Sequence, residues 1–392
     1  MEETMGKETR ERIINNNRCL DILTKDKENI TEDERAFLKK EYTGWGSVLG
    51  NTVGLAQFFT PDHVCKFIAE YLNPRLPENP KVLEPSAGVG ALLNYIREDA
   101  EITCVEVEPS QCKILEYTEP SYEVLNISAG EFDRPNYYDL VIGNPPFNLT
   151  IETQKEWSLR KKNGKINSDE LFLELAIQSA KEGGYIAFIL PQSINYKDSL
   201  KGIRKLIYDT CWCIANISLP SETFARSGTN IPVTLLILRK APKALPKVKT
   251  TNPKELGDAE FILGQPPVIS IDITNIGYDK KGKLTPIDKD DEEFTQLDYV
   301  SDCLNDDLVF ENICPEQPEW SERDKPIHNF ICTGQAGLAY NYARNGTHEL
   351  MPVMYNQLTL GRGCEIEFEG IEYSTMDWNV MNELIEKYKE KN

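Results

Sequence analysis

Strand-length runs of apolar residues alternate along the first 240 residues with segments whose apolar positions recur every three or four residues. Runs of that length favour buried strands, and the three-to-four spacing favours amphipathic helices. The strands are predicted at residues 82–84, 102–106, 122–125, 140–142, 185–190, 213–219 and 233–238. Because helical segments separate them, the pattern predicts an α/β fold with a doubly wound sheet of seven strands.

Capping residues and helix breakers set the limits of the predicted helices. Pro61 suits the first turn of a helix over residues 61–72, where four apolar side chains form one face. Asn167 or Ser168 caps a helix over 168–181, which Gly183 and Gly184 are predicted to end. A further helix is predicted at 200–208, and weak periodicity over residues 1–40 indicates an N-terminal helical arm.

The fourth predicted strand ends abruptly in a rigid polar turn, Gly-Asn-Pro-Pro-Phe at 143–147. Gly143 permits a close approach of the backbone, and Pro145 pushes Asn144 towards an extended conformation. Two consecutive prolines fix φ and remove two backbone donors. Open α/β sheets bind ligands beyond the carboxyl ends of their strands, so this tip is predicted to face a ligand.

Alkylation of a planar exocyclic amine is a reaction that suits this tip. The Asn144 side-chain oxygen and the Pro145 carbonyl could accept both hydrogens of the amine and direct its lone pair at a methyl donor. Phe147 could stack on the flat base. The chemistry needs positioning and preorganised acceptors, with no strong base. Taken alone, the tetrapeptide is also compatible with an ordinary strand-to-loop turn.

A second motif lies upstream, at residues 81–93, where a strand, a loop of small residues and a helix are predicted in succession. Gly88 and Gly90 let the backbone lie against a ligand, without the spacing of the dinucleotide fingerprint. The next strand ends in carboxylates, and Glu106 is placed to accept hydrogen bonds from both hydroxyls of a ribose. Glu108 is the alternative, although it also suits the N-cap of a helix from Pro109.

The order of these parts, Gln-Phe-Phe-Thr-Pro at 57–61, the glycine loop and then the Asn-Pro-Pro-Phe tip, resembles the gamma group of N6-adenine DNA methyltransferases. The resemblance covers roughly residues 40–240, and the lead-in at 41–46 is similar to that of phage and plasmid members. It implies S-adenosylmethionine as cofactor and a target adenine flipped out of DNA. It also implies catalytic roles for Asn144, Pro145 and Phe147.

The resemblance further implies a set of cofactor-binding residues, namely Gln57, Phe59, Thr60, Glu84, Pro85, Ser86, Gly88, Gly90, Glu106, Glu131, Phe132 and Asn144. Glu131 stands where the family usually has an aspartate that holds the adenine amino group of the cofactor, and it is one methylene longer. Phe224, in a loop over 220–230, is implied to stack on the target adenine. Core packing is the alternative for Phe224 and for Phe59.

Charge is distributed unevenly in a chain whose net charge is −20. Residues 1–150 carry −11 and residues 251–392 carry −16, whereas residues 151–250 carry +7. The only basic block therefore follows the catalytic tip, where a DNA backbone would be held. Its residues Arg160, Lys161, Lys162 and Lys165 are predicted to lie on a mobile loop over residues 148–168, with a merely solvated loop as the alternative.

The composition limits the expected cellular location, disulfide content and metal binding of the protein. No run of 18 apolar residues occurs and the N-terminus has no basic-then-apolar signal, so a cytoplasmic protein without a membrane span is expected. Ten irregularly spaced cysteines indicate reduced thiols rather than a disulfide framework. With only three histidines in the chain, no metal site is expected.

Four regions are predicted: the arm at 1–40, a methyltransferase domain at 41–240, a linker at 241–255 and a smaller acidic α+β region at 256–392. The last is expected to dock a partner, either a second copy of the chain or a separate specificity or DNA-binding subunit, or to contribute to DNA recognition. The expected reaction is methylation of adenine N6 in DNA. The alternatives are methylation of protein glutamine or of guanine N2 in RNA, and a non-catalytic anti-restriction or partner subunit of the same fold.

Overall fold

The computed structural model describes ten stretches of the chain: 7–42, 60–227, 230–240, 268–281, 283–286, 295–298, 336–342, 348–354, 366–368 and 371–373. Gln57, Phe59, the predicted linker at 241–255 and most of the lead-in at 41–46 lie outside these stretches. So does most of the acidic region after it, including a terminal helix expected near its end.

Six α-helices occur in the described residues: α1 (Lys7–Ile22), α2 (Glu32–Glu41), α3 (Asp62–Leu72), α4 (Pro109–Thr118), α5 (Ser168–Ser179) and α6 (Lys201–Thr210). Their starts follow the sequence signals, because Pro61 caps α3, Glu108 caps α4 and Asn167 caps α5. The predicted N-terminal arm is therefore a pair of helices. Within the described residues, no helix has the length and apolar character that crossing a bilayer requires.

The main sheet contains the strands β1 (Lys81–Glu84), β2 (Glu101–Val105), β3 (Glu123–Leu125), β4 (Tyr138–Gly143), β7 (Ala180–Pro191), β8 (Cys211–Leu219) and β9 (Val233–Lys240). Their order across the sheet is β8-β9-β7-β4-β1-β2-β3. Every pairing from β7 to β3 is parallel, and only β9 runs antiparallel to its neighbours. The predicted seven-stranded α/β fold is confirmed, with β1 and β4 adjacent at its centre.

Three more strands continue this sheet from the C-terminal part of the chain: β10 (Val268–Asp272), β11 (Ala336–Tyr342) and β12 (His348–Met354). The first pairs in parallel with β8, so within the described stretches these three strands extend the seven-stranded sheet to ten strands. After β10, the side chains of Ile273, Ile276, Tyr278 and Leu297 enter the same hydrophobic core as α3 and β1. The described part of the acidic region is thus built onto the main sheet rather than forming a separate core.

Two small antiparallel pairs lie outside the main sheet. One joins β5 (Thr150–Glu152) to β6 (Lys165–Asn167), and the other joins β13 (Ile366–Phe368) to β14 (Ile371–Tyr373). The first pair closes the predicted basic loop into a hairpin. Three cross-strand pairs join the two ends of the predicted loop at 148–168, and residues 153–164 connect them.

Two helix limits differ from the sequence prediction. The helix expected after the glycine loop is only a single 3₁₀ turn, Ala91–Leu93. The helix α5 ends at Ser179, before the two glycines, because Ala180 already pairs with Tyr138 as the first residue of β7. Gly183 adopts φ of 77° within that strand, close to the point where its register with β4 shifts.

The N-terminal helices pack against α4 and the glycine loop. Their core includes Cys19 and Leu38, and it also takes in Ile114 of α4 and Val89 of the glycine loop. The Lys113 amine donates to the Leu23 carbonyl oxygen at 2.6 Å, which ties α4 to the end of α1. The arm therefore supports the loop that stands between β1 and α4.

Candidate functional site

A pocket of ≈ 320 Å³ lies at the carboxyl ends of β1, β2 and β4. It brings together seven of the residues that the resemblance implicates: Thr60, Glu84, Pro85, Ser86, Gly88, Glu106 and Asn144. These side chains come from four separate segments of the chain. The adjacency of β1 to both β2 and β4 is what makes them neighbours, as the ligand-binding edge of an open α/β sheet requires.

Glycines shape the loop between β1 and the 3₁₀ turn. Gly88 has φ of 57° and Gly90 has φ of 81°, a left-handed conformation that other residues rarely adopt. A Cβ atom on Gly90 would lie 3.0 Å from Cδ2 of Leu115, so the loop also needs the missing side chain to pack against α4. Gly88 is part of the pocket wall, whereas Gly90 serves the turn behind it.

Glu106 is held rigidly at the end of β2. One carboxylate oxygen accepts hydrogen bonds from the backbone N–H groups of Val107 and Glu108, both at 2.9 Å, and the other accepts from Gly88 at 2.9 Å. Burial raises the pKa of Glu106, while these backbone donors act in the opposite direction. The side chain thus fixes the glycine loop and remains part of the pocket wall.

Glu108 has a different position. Its carboxylate accepts hydrogen bonds from the backbone N–H groups of Ser110 and Gln111, at 3.2 and 3.1 Å. Both bonds cap the first turn of α4, and Glu108 does not line the pocket. The geometry favours the capping interpretation of Glu108 and leaves Glu106 as the carboxylate that a ligand in the pocket would meet.

Glu84 and Ser86 lie deeper in the same wall. Glu84 is 2% exposed, and within the described residues its Oε2 atom has no hydrogen-bond partner. The hydroxyl oxygen of Ser86 is likewise buried without a partner there. Burial, and secondarily the charge of Glu106, raises the pKa of Glu84 well above its ordinary value. Buried polar atoms are normally hydrogen-bonded, so this pair indicates a missing polar ligand.

The tip at 143–147 borders the pocket through Asn144 and Pro146. The Asn144 amide nitrogen donates to the hydroxyl oxygen of Thr60 at 3.0 Å. This bond fixes the plane of the carboxamide and directs its oxygen, on the other branch, away from Thr60. Pro145 is buried, and Phe147 is 6% exposed and packs in the core of the sheet.

The residues after the tip are clamped to the start of α5. Asn148 has φ of 55°, a left-handed conformation that asparagine tolerates better than most residues. Its backbone N–H donates to Asp169 Oδ1 at 3.2 Å, and the N–H of Leu149 donates to the Ser168 hydroxyl oxygen at 2.9 Å. The N–H of Ser168 in turn donates to the Leu149 carbonyl at 2.8 Å. The start of α5 therefore fixes the direction in which the chain leaves the tip.

Glu131 and Phe132 do not line the pocket. The Glu131 carboxylate accepts hydrogen bonds from the Thr153 hydroxyl and the Gln154 backbone, at 3.0 and 2.9 Å, so it ties the hairpin to the turn before β4. Phe132 is 2% exposed and packs among core residues on the other face of the sheet. In this structure neither side chain is positioned for the adenine contact that the resemblance implies.

Phe224 is fully buried in the core of the sheet, in agreement with the core-packing alternative, and it does not face the pocket in this structure. It lies in a 3₁₀ segment, Ser221–Ser227. The Tyr278 hydroxyl donates to the carbonyl oxygen of Thr223 at 2.6 Å. This contact from the C-terminal part of the chain ties the segment down and keeps the phenylalanine inward.

The four basic residues of the hairpin divide into two pairs. The Arg160 guanidinium pairs with Glu156, and the Lys165 amine lies 3.0 Å from a carboxylate oxygen of Glu152. Lys161 and Lys162 are exposed next to the hairpin turn. Only the second pair therefore presents its charge openly to a large anionic partner.

The sequence patterns did not predict the apolar wall of the pocket. It is formed by Ile127, Leu149, Ile151 and Phe172, which come from the segment after β3, the hairpin and α5. Phe172 lies on α5, and a helical pattern of apolar residues does not distinguish a core position from a pocket position. Tertiary packing alone brings these residues opposite Glu106.

Comparison with known proteins shows which proteins this chain is similar to. Residues 121–261 match the family model described as N-6 DNA Methylase. The chain is 26% identical over 235 residues to the Defense against restriction protein B of Escherichia phage P1. The matched region covers 58% of this chain and 10% of that protein. It is 27% identical over 187 residues to the Type II methyltransferase M.CvrRI of Paramecium bursaria Chlorella virus XZ-6E, covering 47% and 48% of the two chains.

A third relative is the Type II methyltransferase M.HincII of Haemophilus influenzae, 28% identical over 170 residues, with 40% of this chain and 31% of that one covered. The chain thus spans less than half the length of each of these three relatives. A solved chain from a type I R-M system superposes with a TM-score of 0.51 at 16% identity, covering 92% of this chain and 69% of that chain. The superposition shows the fold, and the relatives confirm the resemblance to N6-adenine DNA methyltransferases of the restriction-modification kind.

Proposed function

We propose that this chain, which resembles N6-adenine DNA methyltransferases and matches their family model over residues 121–261, methylates adenine N6 in DNA with S-adenosylmethionine. One observation carries the proposal: the Asn144 carboxamide borders the same pocket as Glu84 and Glu106. A cofactor in the pocket would therefore lie directly beside the group that orients the substrate amine.

The pocket fits S-adenosylmethionine at three places. Glu84 and Ser86 offer buried oxygens without described partners to the ammonium and carboxylate of the methionine end. Glu106 offers its carboxylate to the ribose hydroxyls, and the apolar wall around Ile127 and Phe172 suits a purine. Thr60, Pro85 and Gly88 complete the methionine end, with Gln57 and Phe59 assigned there by the resemblance.

S-adenosylmethionine, when bound, supplies an electrophilic methyl group. The Asn144 oxygen and the Pro145 carbonyl accept the two N6 hydrogens of the target adenine, which turns the nitrogen lone pair towards that methyl. Thr60 holds the carboxamide so that its oxygen is the atom presented. These are fixed acceptors that require no reorganisation during the reaction. Phe147, buried beneath the tip, supports the turn in this conformation.

DNA binding is assigned to the hairpin and its surroundings. A methyltransferase must extrude the base to reach N6, which costs a few kcal/mol that binding contacts must offset. Lys161 and Lys162 are exposed on the hairpin that follows the tip, and we assign them to DNA phosphates. Arg160 and Lys165 hold the hairpin in shape through their acidic partners.

Residues 251–392 carry a charge of −16, which repels a duplex at moderate salt. We therefore propose that the acidic region docks a partner, either a second copy of the chain or a separate specificity subunit that reads the target sequence. Purified chain should bind cofactor well yet methylate a defined duplex weakly until that partner is present. Robust site-specific methylation by a monomeric chain would contradict this part of the proposal.

A second candidate function is anti-restriction without catalysis. It is favoured by the likeness to a phage protein named for defence against restriction, over 58% of this chain. The intact tip and pocket favour the enzyme. A catalytic chain must deposit methyl groups, whereas a non-catalytic one would bind its partner or cofactor and leave DNA unmodified.

The test uses methyl-labelled cofactor with separate pools of DNA, RNA and protein, followed by sequencing that detects N6-methyladenine. Label in DNA at adenine N6 is expected. Asn144→Ala should lower this incorporation at least a hundred-fold while S-adenosylmethionine affinity stays within a few-fold, because the residue acts on the substrate amine. Label in protein glutamine or in RNA guanine would replace the proposed substrate, and turnover by the Asn144 variant near that of the wild type would refute the catalytic assignment.

A further inference from the structure

A fully buried arginine braces the turn that follows β7. Arg204, on α6, is 0% exposed, and its Nη1 atom donates to the carbonyl oxygens of Ile194 and Lys197, both at 2.9 Å. Among the described residues its Nε and Nη2 atoms have no hydrogen-bond partner. Burial of a guanidinium with unsatisfied donors costs free energy, so the shape of this turn is maintained at the expense of stability.

Further contacts fix the turn from both ends. The backbone N–H of Gln192 donates to the Pro232 carbonyl at 3.2 Å, and that of Lys197 donates to the Ser193 carbonyl at 2.9 Å. The Asn195 side chain, 7% exposed, accepts a hydrogen bond from Asn216 of β8 at 2.8 Å. The backbone of residues 192–197 is therefore rigid.

One large side chain of this rigid turn points into solvent. Tyr196 is 60% exposed, more than the tyrosines at 95 and 137, which are 38% and 40% exposed. Lys197 and Lys201 are exposed beside it. An isolated exposed apolar residue needs no explanation, but an aromatic ring flanked by lysines is the combination that binds unpaired nucleotides.

The turn also lies on the substrate side of the sheet. The strand β7 pairs in parallel with β4, with Phe188 opposite Gly143, so both strands end at the edge that carries the tip. The charge of Lys197 acts on Asp169, the residue that accepts the hydrogen bond from Asn148 just after the tip. Tyr196 is thus adjacent in the chain to Lys197, whose charge acts on the carboxylate that supports the tip.

We infer that Tyr196 is the aromatic residue that stacks on an unpaired base of the nucleic-acid substrate, the role that Phe224, buried in the core, does not fill in this structure. Lys197 and Lys201 hold the flanking phosphates, and Arg204 positions the turn. This inference rests on the proposed function, because it assigns a residue to the DNA substrate of the same site.

The experiment compares wild type with Tyr196→Ala, Tyr196→Phe and the matched control Tyr137→Ala. Tyr137 is an exposed tyrosine at the start of β4, on the opposite edge of the sheet. Binding is measured by fluorescence anisotropy on a mixed-sequence duplex that carries one unpaired adenine and on its fully paired counterpart. S-adenosylmethionine affinity and thermal unfolding are measured on the same samples.

Tyr196→Ala is expected to weaken binding to the unpaired-adenine duplex by about ten-fold, as the loss of one stacked base predicts. Binding to the paired duplex should change less, because its bases are already stacked. Tyr196→Phe should retain the affinity, since stacking needs the ring and not the hydroxyl. Cofactor affinity and unfolding temperature should be unchanged, and Tyr137→Ala should bind like wild type.

Equal binding by wild type and Tyr196→Ala would overturn the inference and leave the proposed function standing, provided that wild type methylates DNA. An equal loss on both duplexes, or a loss accompanied by lower cofactor affinity or stability, would show a structural role instead and would also overturn it. A wild-type chain that neither binds nor methylates DNA would refute the proposed function, and the inference with it.

Discussion

Glu84 is an acid whose protonation should respond to the cofactor. Its raised pKa, caused first by burial and then by Glu106, means that the folded protein without ligand prefers the neutral carboxyl. The raised pKa of Glu84 contributes fully to folding stability at pH values below the ordinary glutamate pKa of about 4.3. This contribution is lost as the pH rises through the raised pKa. A cationic ligand in the pocket reverses the preference, so binding should release a proton.

We therefore expect S-adenosylmethionine affinity to rise with pH until Glu84 is ionised without ligand. Calorimetry in two buffers of different ionisation enthalpy should detect the released proton. Glu84→Gln should remove most of that proton release and increase the stability of the ligand-free protein at neutral pH. A buffer-independent binding enthalpy in the wild type would show that the carboxylate is already charged. Glu106, whose pKa burial also raises, accounts for any proton that the variant still releases.

A second test at this scale compares Glu106 with Glu108. The sequence did not decide which of the two carboxylates binds the ribose hydroxyls of the cofactor. Glu106→Gln should weaken cofactor binding at least ten-fold, since a ribose hydroxyl would lose one acceptor and the glycine loop would lose part of its support. Glu108→Ala should instead cost about 1 kcal/mol of stability through the lost cap and leave cofactor affinity unchanged. Calorimetry and thermal unfolding of both variants distinguish the roles, and the opposite pattern would exchange them.

At the scale of elements, one pair of basic residues in the hairpin is exposed and the other pair forms salt bridges within it. Lys161→Ala combined with Lys162→Ala should reduce the slope of log affinity against log salt for DNA by about 2, because each phosphate contact contributes about 0.9. The hairpin itself should persist in this variant. Arg160→Ala combined with Lys165→Ala is the matched control of equal charge change, which should loosen the hairpin through the lost contacts to Glu156 and Glu152. An unchanged slope in the first variant would make the two lysines bystanders.

The limits of the elements show where sequence patterns are sufficient and where they are not. Caps at Asn167 and Glu108 placed two helix starts correctly, because an N-cap is a local interaction. Gly183 and Gly184 were assigned to the end of α5, but Ala180 had already entered the sheet by pairing with Tyr138. That pairing joins residues 42 positions apart, and no local pattern encodes it. The direction in which Phe224 points depends in the same way on a distant contact, because Tyr278 donates a hydrogen bond to Thr223 in its segment.

At the scale of the whole molecule, the acidic region cannot be removed without exposing the sheet. Truncation after residue 240 would uncover the β8 edge that β10 occupies and would empty the core of Ile273, Ile276, Tyr278 and Leu297. We expect a large fall in unfolding temperature and aggregation of this fragment, because an open edge strand invites pairing with other chains. Truncation after residue 298 uncovers the β10 edge that β11 occupies, but it keeps β10 and the core residues, so we expect a smaller fall in unfolding temperature. Equal stability of the two fragments in thermal unfolding and light scattering would contradict this expectation.

The pairing of β10 with β8 also matters while the chain is being made. A ribosome completes β8 at residue 219 and β9 at residue 240, yet the strand that covers the outer edge of β8 begins only at residue 268. Synthesis proceeds at about 5–20 residues per second, so the stretch from residue 240 to residue 268 leaves the nascent sheet with an open edge for roughly 1–6 seconds. During that interval the open edge of β8 can pair with strands of other nascent chains. Translation rate across residues 241–267 would then decide how much protein reaches the folded state, independently of the stability of that state.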